Sequence, residues 1–294
     1  MSWYEELGYK QNPLEIDSFK IDFIPIKYEK EIEELVYRLK AGNVVMIEGP
    51  DGSGKTTLLK ETIRRFGGRG KVIYFDNKQL GRNLNIEDLL VNSQNFFRRL
   101  VGKKPVNMIL LLDNVNYLTK RNSERIKYFF DQNYLKGVAF TTDRYKNVKF
   151  TKSMKDRIGK RVIKLSPPTV KEVVMITKDR LLDEKLLSDR MIKKIFNLSK
   201  ANLKQHLANC KAVLEYLVDN DKDSINDQEV VRVVSKVVYE EEDLTKNCYA
   251  CDGPLERIKG NWRCPNCETY CLKCSTIVSD KDEKCGECGM KFEG

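Results

Sequence analysis

Gly49-Pro50-Asp51-Gly52-Ser53-Gly54-Lys55-Thr56 decides the fold of this chain. The octapeptide fits G-x-x-x-x-G-K-[ST] at every fixed position, and both flanks suit that pattern. Ahead of it, Val44-Val45-Met46-Ile47 reads as a short strand buried on both faces. Behind it, Thr57-Leu58-Leu59-Lys60-Glu61-Thr62-Ile63 sets apolar residues at helical spacing. Strand, glycine loop and helix gather backbone N–H groups and the positive end of a helix dipole around one point. Such a point suits a triphosphate. Gly49, Pro50, Asp51, Gly52, Ser53, Gly54, Lys55, Thr56 and Thr57 are therefore the expected nucleotide-binding residues. Lys55 is expected between the β- and γ-phosphates, and Thr56 as a hydroxyl ligand of Mg²⁺.

Outward from the loop, strand and helix patterns alternate. A helix is expected over 28–39, with Ile32, Leu35, Val36 and Leu39 on one face. Strands are expected at 72–75, 108–112, 138–142 and 162–165, with helices over 86–100 and 123–132. The third strand, Met108-Ile109-Leu110-Leu111-Leu112, runs straight into Asp113. A carboxylate at that strand end, beside the loop, is the expected second Mg²⁺ holder. The fold class that follows is α/β: a P-loop NTPase parallel sheet with helices on both faces. Ligands of such sheets bind at the carboxyl ends of the strands.

Beyond Ser166-Pro167-Pro168 only helical patterns remain, near 169–182, 189–198, 202–218 and 227–239. Thr169-Val170-Lys171-Glu172 is a capping box that opens the first of them. The expected domains are 1–166 (nucleotide binding), 167–243 (an all-helical lid) and 244–294 (a small two-zinc domain). The N-terminal stretch from Tyr4 to Leu14 is expected as an arm over the nucleotide site.

At this point the residues resemble the AAA+ ATPases, most closely the origin-recognition and clamp-loader branch, with secretion and transposition ATPases as near alternatives. The resemblance spans roughly residues 1–243. It implies ATP as the nucleotide and Thr142 (Thr141 second) as the strand-end residue that senses the γ-phosphate. It also implies Arg157 as the arginine offered to a neighbouring subunit, with Arg144 and Arg161 as weaker candidates, and Lys204, in Ala201-Asn202-Leu203-Lys204, as the lid cation. Homo-oligomers are implied with it. One departure stands out: Asn114 occupies the place where the family carries a glutamate that polarises water. An amide orients water but does not take its proton. Slow or partner-dependent hydrolysis is the expectation, with Asp76 as an alternative carboxylate.

Nine cysteines are present, eight of them in four C-x-x-C pairs. The pairs are Cys248 with Cys251, Cys264 with Cys267, Cys271 with Cys274, and Cys285 with Cys288. Two sets of four thiolates make two closed tetrahedral Zn²⁺ shells, structural in kind. The tail looks like a double zinc ribbon, with sequential or interleaved pairing both open. Its Lys and Arg residues equal its Asp and Glu residues in number. At roughly −2 per Zn(Cys)₄ centre it becomes acidic, which suits a protein partner over DNA. Cys210 and His206 read as residues of a helical core.

The 294 residues carry a formal net charge of +10, and that excess lies ahead of the tail. From Arg144 to Lys164 there are nine Lys and Arg against Asp156 alone. Arg144, Lys146, Lys149, Lys152, Lys155 and Lys160 are the expected phosphate contacts of a DNA partner, with a solvated surface as the alternative. No apolar run is long enough for a membrane span, and Met1-Ser2-Trp3-Tyr4 opens no secretion signal. The cytosol is the expected compartment. Two functions follow: an ATP-dependent switch on nucleic acid in replication, recombination or transposition, or an ATP-loaded scaffold that recruits proteins through its ribbons.

Overall fold

The structure is a computed structural model that describes residues 2–21, 25, 27–68, 71–77, 106–182 and 186–237, and four short strands beyond them. Residues 1–77 and 84–239 form one compact unit, and residues 78–83 with 240–294 another.

The first unit is built on five parallel strands: β1 (Val44–Glu48), β2 (Val72–Asp76), β3 (Met108–Asp113), β4 (Leu135–Thr142) and β5 (Val162–Lys164). Their order is β2-β3-β4-β1-β5. Val44 faces Val138, Met46 faces Val162 and Asp76 faces Asp113 in the ladders. The strand expectations hold, each within a few residues. Every residue of β3 is buried, Asp113 included, because helices cover both faces of a parallel sheet.

On one face α2 (Glu29–Lys40) and α3 (Lys55–Arg65) pack through Ile32, Leu35, Leu39, Leu58, Leu59 and Ile63 against Val45, Ile47, Ile109 and Leu111. The alternate strand residues point the other way, toward α4 (Lys120–Asp131) and α5 (Lys152–Ile158). There the Phe140 and Phe150 rings lie 4.9 Å apart. α4 begins earlier than the apolar period suggested, because Thr119 caps it by accepting from the Asn122 N–H at 3.1 Å. The helix expected over 86–100 lies outside the described residues.

Four more helices follow: α6 (Val170–Leu181), α7 (Asp189–Leu198), α8 (Leu203–Asp219) and α9 (Asp227–Val234). The capping box of Thr169 and Glu172 is formed, the carboxylate accepting from the Thr169 N–H at 2.7 Å. α9 ends at Val234, short of the expected 239, with Ser235 as its C-cap. These helices share an apolar cluster that includes Val173, Leu181, Ile192, Phe196, Leu207, Leu214 and Val230.

The N-terminal arm corrects an expectation. Trp3, on the short α1 (Trp3–Glu6), and Leu14 are buried in that helical cluster, and the Tyr9 hydroxyl donates to the Leu181 carbonyl. A Trp–Leu pair gains more by filling an apolar groove between helices than by covering a polar phosphate site. Pro25, Lys27 and Tyr28, and not residues 4–14, come beside the P-loop.

In the second unit β6 (Glu256–Ile258) pairs antiparallel with β7 (Asn261–Arg263), and β8 (Thr269–Tyr270) with β9 (Ile277–Val278). The eight expected zinc ligands, Cys248, Cys251, Cys264, Cys267, Cys271, Cys274, Cys285 and Cys288, all lie outside the described residues. Among the described residues no group of three or more His, Cys, Asp or Glu could hold a metal ion. The two zinc shells therefore rest on the C-x-x-C spacing alone. Among the described residues no helix is long and apolar enough to cross a membrane.

Candidate nucleotide site

The site forms at the carboxyl edge of the sheet, where β1, β3 and β4 end side by side. Gly54 is the N-cap of α3 and has φ +92°, a left-handed conformation that only glycine adopts without strain. The ring of Tyr28 closes over it: a Cβ on Gly54 would stand 3.4 Å from Tyr28 Cε2. Gly52, at φ +73°, has no room either, since a Cβ there would collide with Asn202 Oδ1. The loop thus presents bare backbone at the start of an eleven-residue helix, the arrangement that receives anions.

The side chains around this cradle hold one another. Lys55 is 6% exposed. Its ammonium donates to the carbonyls of Gly49 (2.8 Å) and Pro50 (3.1 Å) and pairs with Asp143 Oδ1 at 2.8 Å. Thr56 Oγ1 donates to Asp113 Oδ2 at 2.6 Å, and the Tyr74 hydroxyl reaches the same oxygen at 3.2 Å. Burial, and then Asp113 and Asp76, push the Tyr74 hydroxyl well above its ordinary range, so it stays a donor. The other Asp113 oxygen accepts from Thr141 Oγ1 and from the Asn114 N–H at 3.1 Å. Ser53 Oγ is buried without a partner among the described residues.

These observations fit a triphosphate with Mg²⁺. Among the described residues Ser53 lacks a partner that a phosphate oxygen would supply, and a Cβ at Gly52 would intrude on the cradle. Thr56 and Asp113 are a hydroxyl–carboxylate pair of the all-oxygen kind that Mg²⁺ takes. Beside the loop a small cavity is lined by Pro25, Tyr28, Gly54, Thr57, Ile176 and Leu203, among others.

Of the two strand-end threonines, Thr141 touches Asp113, whereas Thr142 donates to Asn116 Oδ1. Both are fully buried. Asn114 follows Asp113 in a left-handed conformation (φ 56°), and its Nδ2 donates to Asp76 Oδ1 at 2.9 Å. Lys204 pairs with Asp51 Oδ1 at 2.9 Å, and Asn202 Nδ2 reaches Asp51 Oδ2 at 3.1 Å. Burial works against the Asp51 carboxylate, yet Lys204 and Asn202 hold its carboxyl below the usual range. α8 therefore begins directly on the P-loop. Arg157 pairs with Asp131 at 2.8 Å and lies over the Phe130 ring, away from the described cradle residues.

Arg144, Lys146, Lys149, Lys152, Lys155 and Lys160 are all exposed along the chain that leads from β4 through α5 to β5. Among the described residues no carboxylate pairs with them, and Arg157 alone in α5 has such a partner.

Sequence reasoning missed Asp143, Asn116, Tyr74 and the P-loop contact of Asn202. Asp143 directly follows Thr142 and a strand-end position was its only signal. Nothing local marks Asn116 or Tyr74; the sheet order brings them to the site.

Residues 41–174 match the family model described as "AAA domain". Solved structures share the fold. Cdc6p from Pyrobaculum aerophilum is 17% identical, with TM-score 0.59 over 76% of this chain and 72% of that one. The Aeropyrum pernix ORC1 protein, solved in complex with DNA, is 14% identical, with TM-score 0.60 over 77% of this chain and 69% of its own. Domain III of the Thermotoga maritima replication initiation protein DnaA is 20% identical, with TM-score 0.55 over 78% of this chain and 99% of that chain. Among curated proteins, the ABC transporter ATM1 of Toxoplasma gondii is 29% identical over 89 residues. That match spans 30% of this chain and 7% of the transporter's length. The first unit has the P-loop AAA+ fold.

Proposed function

We propose that the chain binds ATP with Mg²⁺ at the P-loop and acts as an ATP-dependent switch on double-stranded DNA. The carrying observation is the Thr56–Asp113 bond of 2.6 Å beside a buried Lys55 at the open edge of the sheet. In this reading Lys55 leaves Asp143 for the phosphates, and Ser53 and the α3 amides take further phosphate oxygens. Mg²⁺, held by Thr56 and Asp113, would neutralise charge on the β- and γ-oxygens. Thr141 and Tyr74 keep the Asp113 carboxylate oriented. Helices α6–α9 form the lid, with Lys204 transferring from Asp51 toward the nucleotide. Arg157, half exposed beside Asp131, is assigned to a neighbouring subunit's nucleotide in a homo-oligomer.

The six cations from Arg144 to Lys160, unpaired among the described residues, supply the DNA contact, in line with a relative of the same fold that was solved with DNA. The tail is read as two zinc ribbons that dock a protein partner. Its support is the four C-x-x-C pairs: β6–β7 lies between the first pair and the second, and β8 and β9 flank the third. A second reading, an ATP-loaded scaffold with little hydrolysis, draws on the amide at Asn114.

The test is a titration of duplex DNA with ATP bound, across a salt series. Binding at low salt is expected, with log K falling against log salt at about 0.9 per phosphate contact. Changing Lys149, Lys152, Lys155 and Lys160 together to Gln should flatten that slope. No DNA binding at low salt removes the switch reading and leaves the scaffold.

A further inference from the structure

Resting on ATP binding as proposed above, we infer that Asp76 is a positioning residue for hydrolysis, acting through Asn114. A primary amide has a donating end and an accepting end, and a carboxylate only accepts. Asn114 Nδ2 lies 2.9 Å from Asp76 Oδ1. The pairing thus works in one sense only, and it sets the amide so that Oδ1 is the free end. Asn114 Oδ1 has no hydrogen-bond partner among the described residues.

The backbone beneath is pinned as firmly. The Asn114 N–H donates to Asp113 Oδ1 (3.1 Å) and Thr141 Oγ1 (2.9 Å), and its carbonyl accepts from Asn77 Nδ2 at 3.5 Å. Its φ of 56° is a conformation in which asparagine is enriched. The register that sets Asp76 against Asp113 places the two carboxylates at one end of neighbouring strands. The ladder fixes the Asp76 backbone beside Asp113.

An amide carbonyl held this way accepts one hydrogen of a water next to the residue that holds Mg²⁺. The water oxygen bonds to the terminal phosphorus as the bond to the bridging oxygen breaks. ADP leaves with the bridging electron pair, and the water's proton passes to the phosphate oxygens, since the amide does not take it. Asp76 touches neither water nor phosphate. It decides which end of Asn114 does.

The experiment measures ATP affinity by calorimetry and turnover by phosphate release on the full chain, for wild type, Asp76→Asn, Asn114→Asp and the double variant. Asp76→Asn is isosteric but lets the amide pair in either sense. Turnover should fall about 10- to 100-fold, the range that small misplacements cost, with ATP affinity within twofold of wild type. The double variant exchanges carboxylate and amide and should restore turnover to wild type or above, which a merely structural role would not do. Unchanged turnover in Asp76→Asn, a double variant no better than Asn114→Asp, or lost ATP affinity in Asp76→Asn overturns the inference. ATP binding by wild type with no turnover above the uncatalysed rate also overturns it, while the nucleotide reading stands. Wild type that binds no ATP overturns that reading itself.

Discussion

At the sheet edge, Lys55, Ser53, Thr56 and Asp113 are polar groups with borrowed partners or none, whereas among the helices His206, Thr177, Asn209 and Ser199 close on one another. Thr177 donates its hydroxyl hydrogen to the Val173 carbonyl at 2.8 Å, so at 2.9 Å it accepts from His206 Nε2–H. That assigns the neutral tautomer from the network. Asn209 Nδ2 donates to Ser199 Oγ at 2.8 Å, Ser199 Oγ to the Ile195 carbonyl at 2.7 Å, and Gln205 Nε2 to Asn209 Oδ1 at 2.8 Å. Each of these groups finds a partner among the helices, and Cys210 Sγ lies 3.4 Å from His206 Nε2 as well. At the edge, by contrast, the buried ammonium of Lys55 is satisfied by its own loop and by a carboxylate that is about half exposed. A saturated network stabilises a fold; an edge whose partners can be exchanged is one that can receive a ligand.

The largest expected effect breaks the edge. Lys55→Ala should weaken ATP binding by about 100-fold or more, which is roughly 2.7 kcal/mol, as read by calorimetry. Its thermal midpoint should stay within a few degrees of wild type, because the lost bonds hold only the loop and the half-exposed Asp143. Unchanged affinity would sink the proposed site.

The helical network responds to acid instead. Burial pushes His206 down to about 3, from an ordinary value of 6.5. Above 6.5 both folded and unfolded chains hold a neutral imidazole, so nothing is gained or lost. Below it the unfolded chain takes up a proton that the folded one refuses, and stability falls until about 3. Between pH 6.5 and pH 5 the loss should reach about 2 kcal/mol, measured by urea unfolding. His206→Gln should remove that slope while leaving ATP affinity alone; a slope that persists in the variant counts against the assignment.

A smaller effect sharpens the notion of borrowed partners. Asp143 competes with phosphate for Lys55, so Asp143→Asn should tighten ATP binding by up to about tenfold, or about 1.4 kcal/mol. Weaker binding in that variant would make Asp143 part of the nucleotide site proper.

The smallest effect lies where the two regions meet. Lys204→Ala removes the cation from Asp51 and leaves it the Asn202 amide, the ion pair being about a third exposed on either side. Without nucleotide it should cost only about 0.5 kcal/mol, yet slow hydrolysis if Lys204 moves to the phosphates. Equal turnover in variant and wild type would confine Lys204 to the Asp51 pair.

The sequence by itself determined the strand–loop–helix unit, the carboxylate at the end of β3, the strands within a few residues and the capping box at Thr169. Those signals are local: glycine spacing, apolar period and cap chemistry are complete within a dozen residues. Only the tertiary structure decided that Trp3 and Leu14 belong to the helical core, that Asp143 holds Lys55 and that Asp76 holds the Asn114 amide. These pairings join residues far apart in the chain, and a parallel sheet brings together at its edge side chains that no local period can connect.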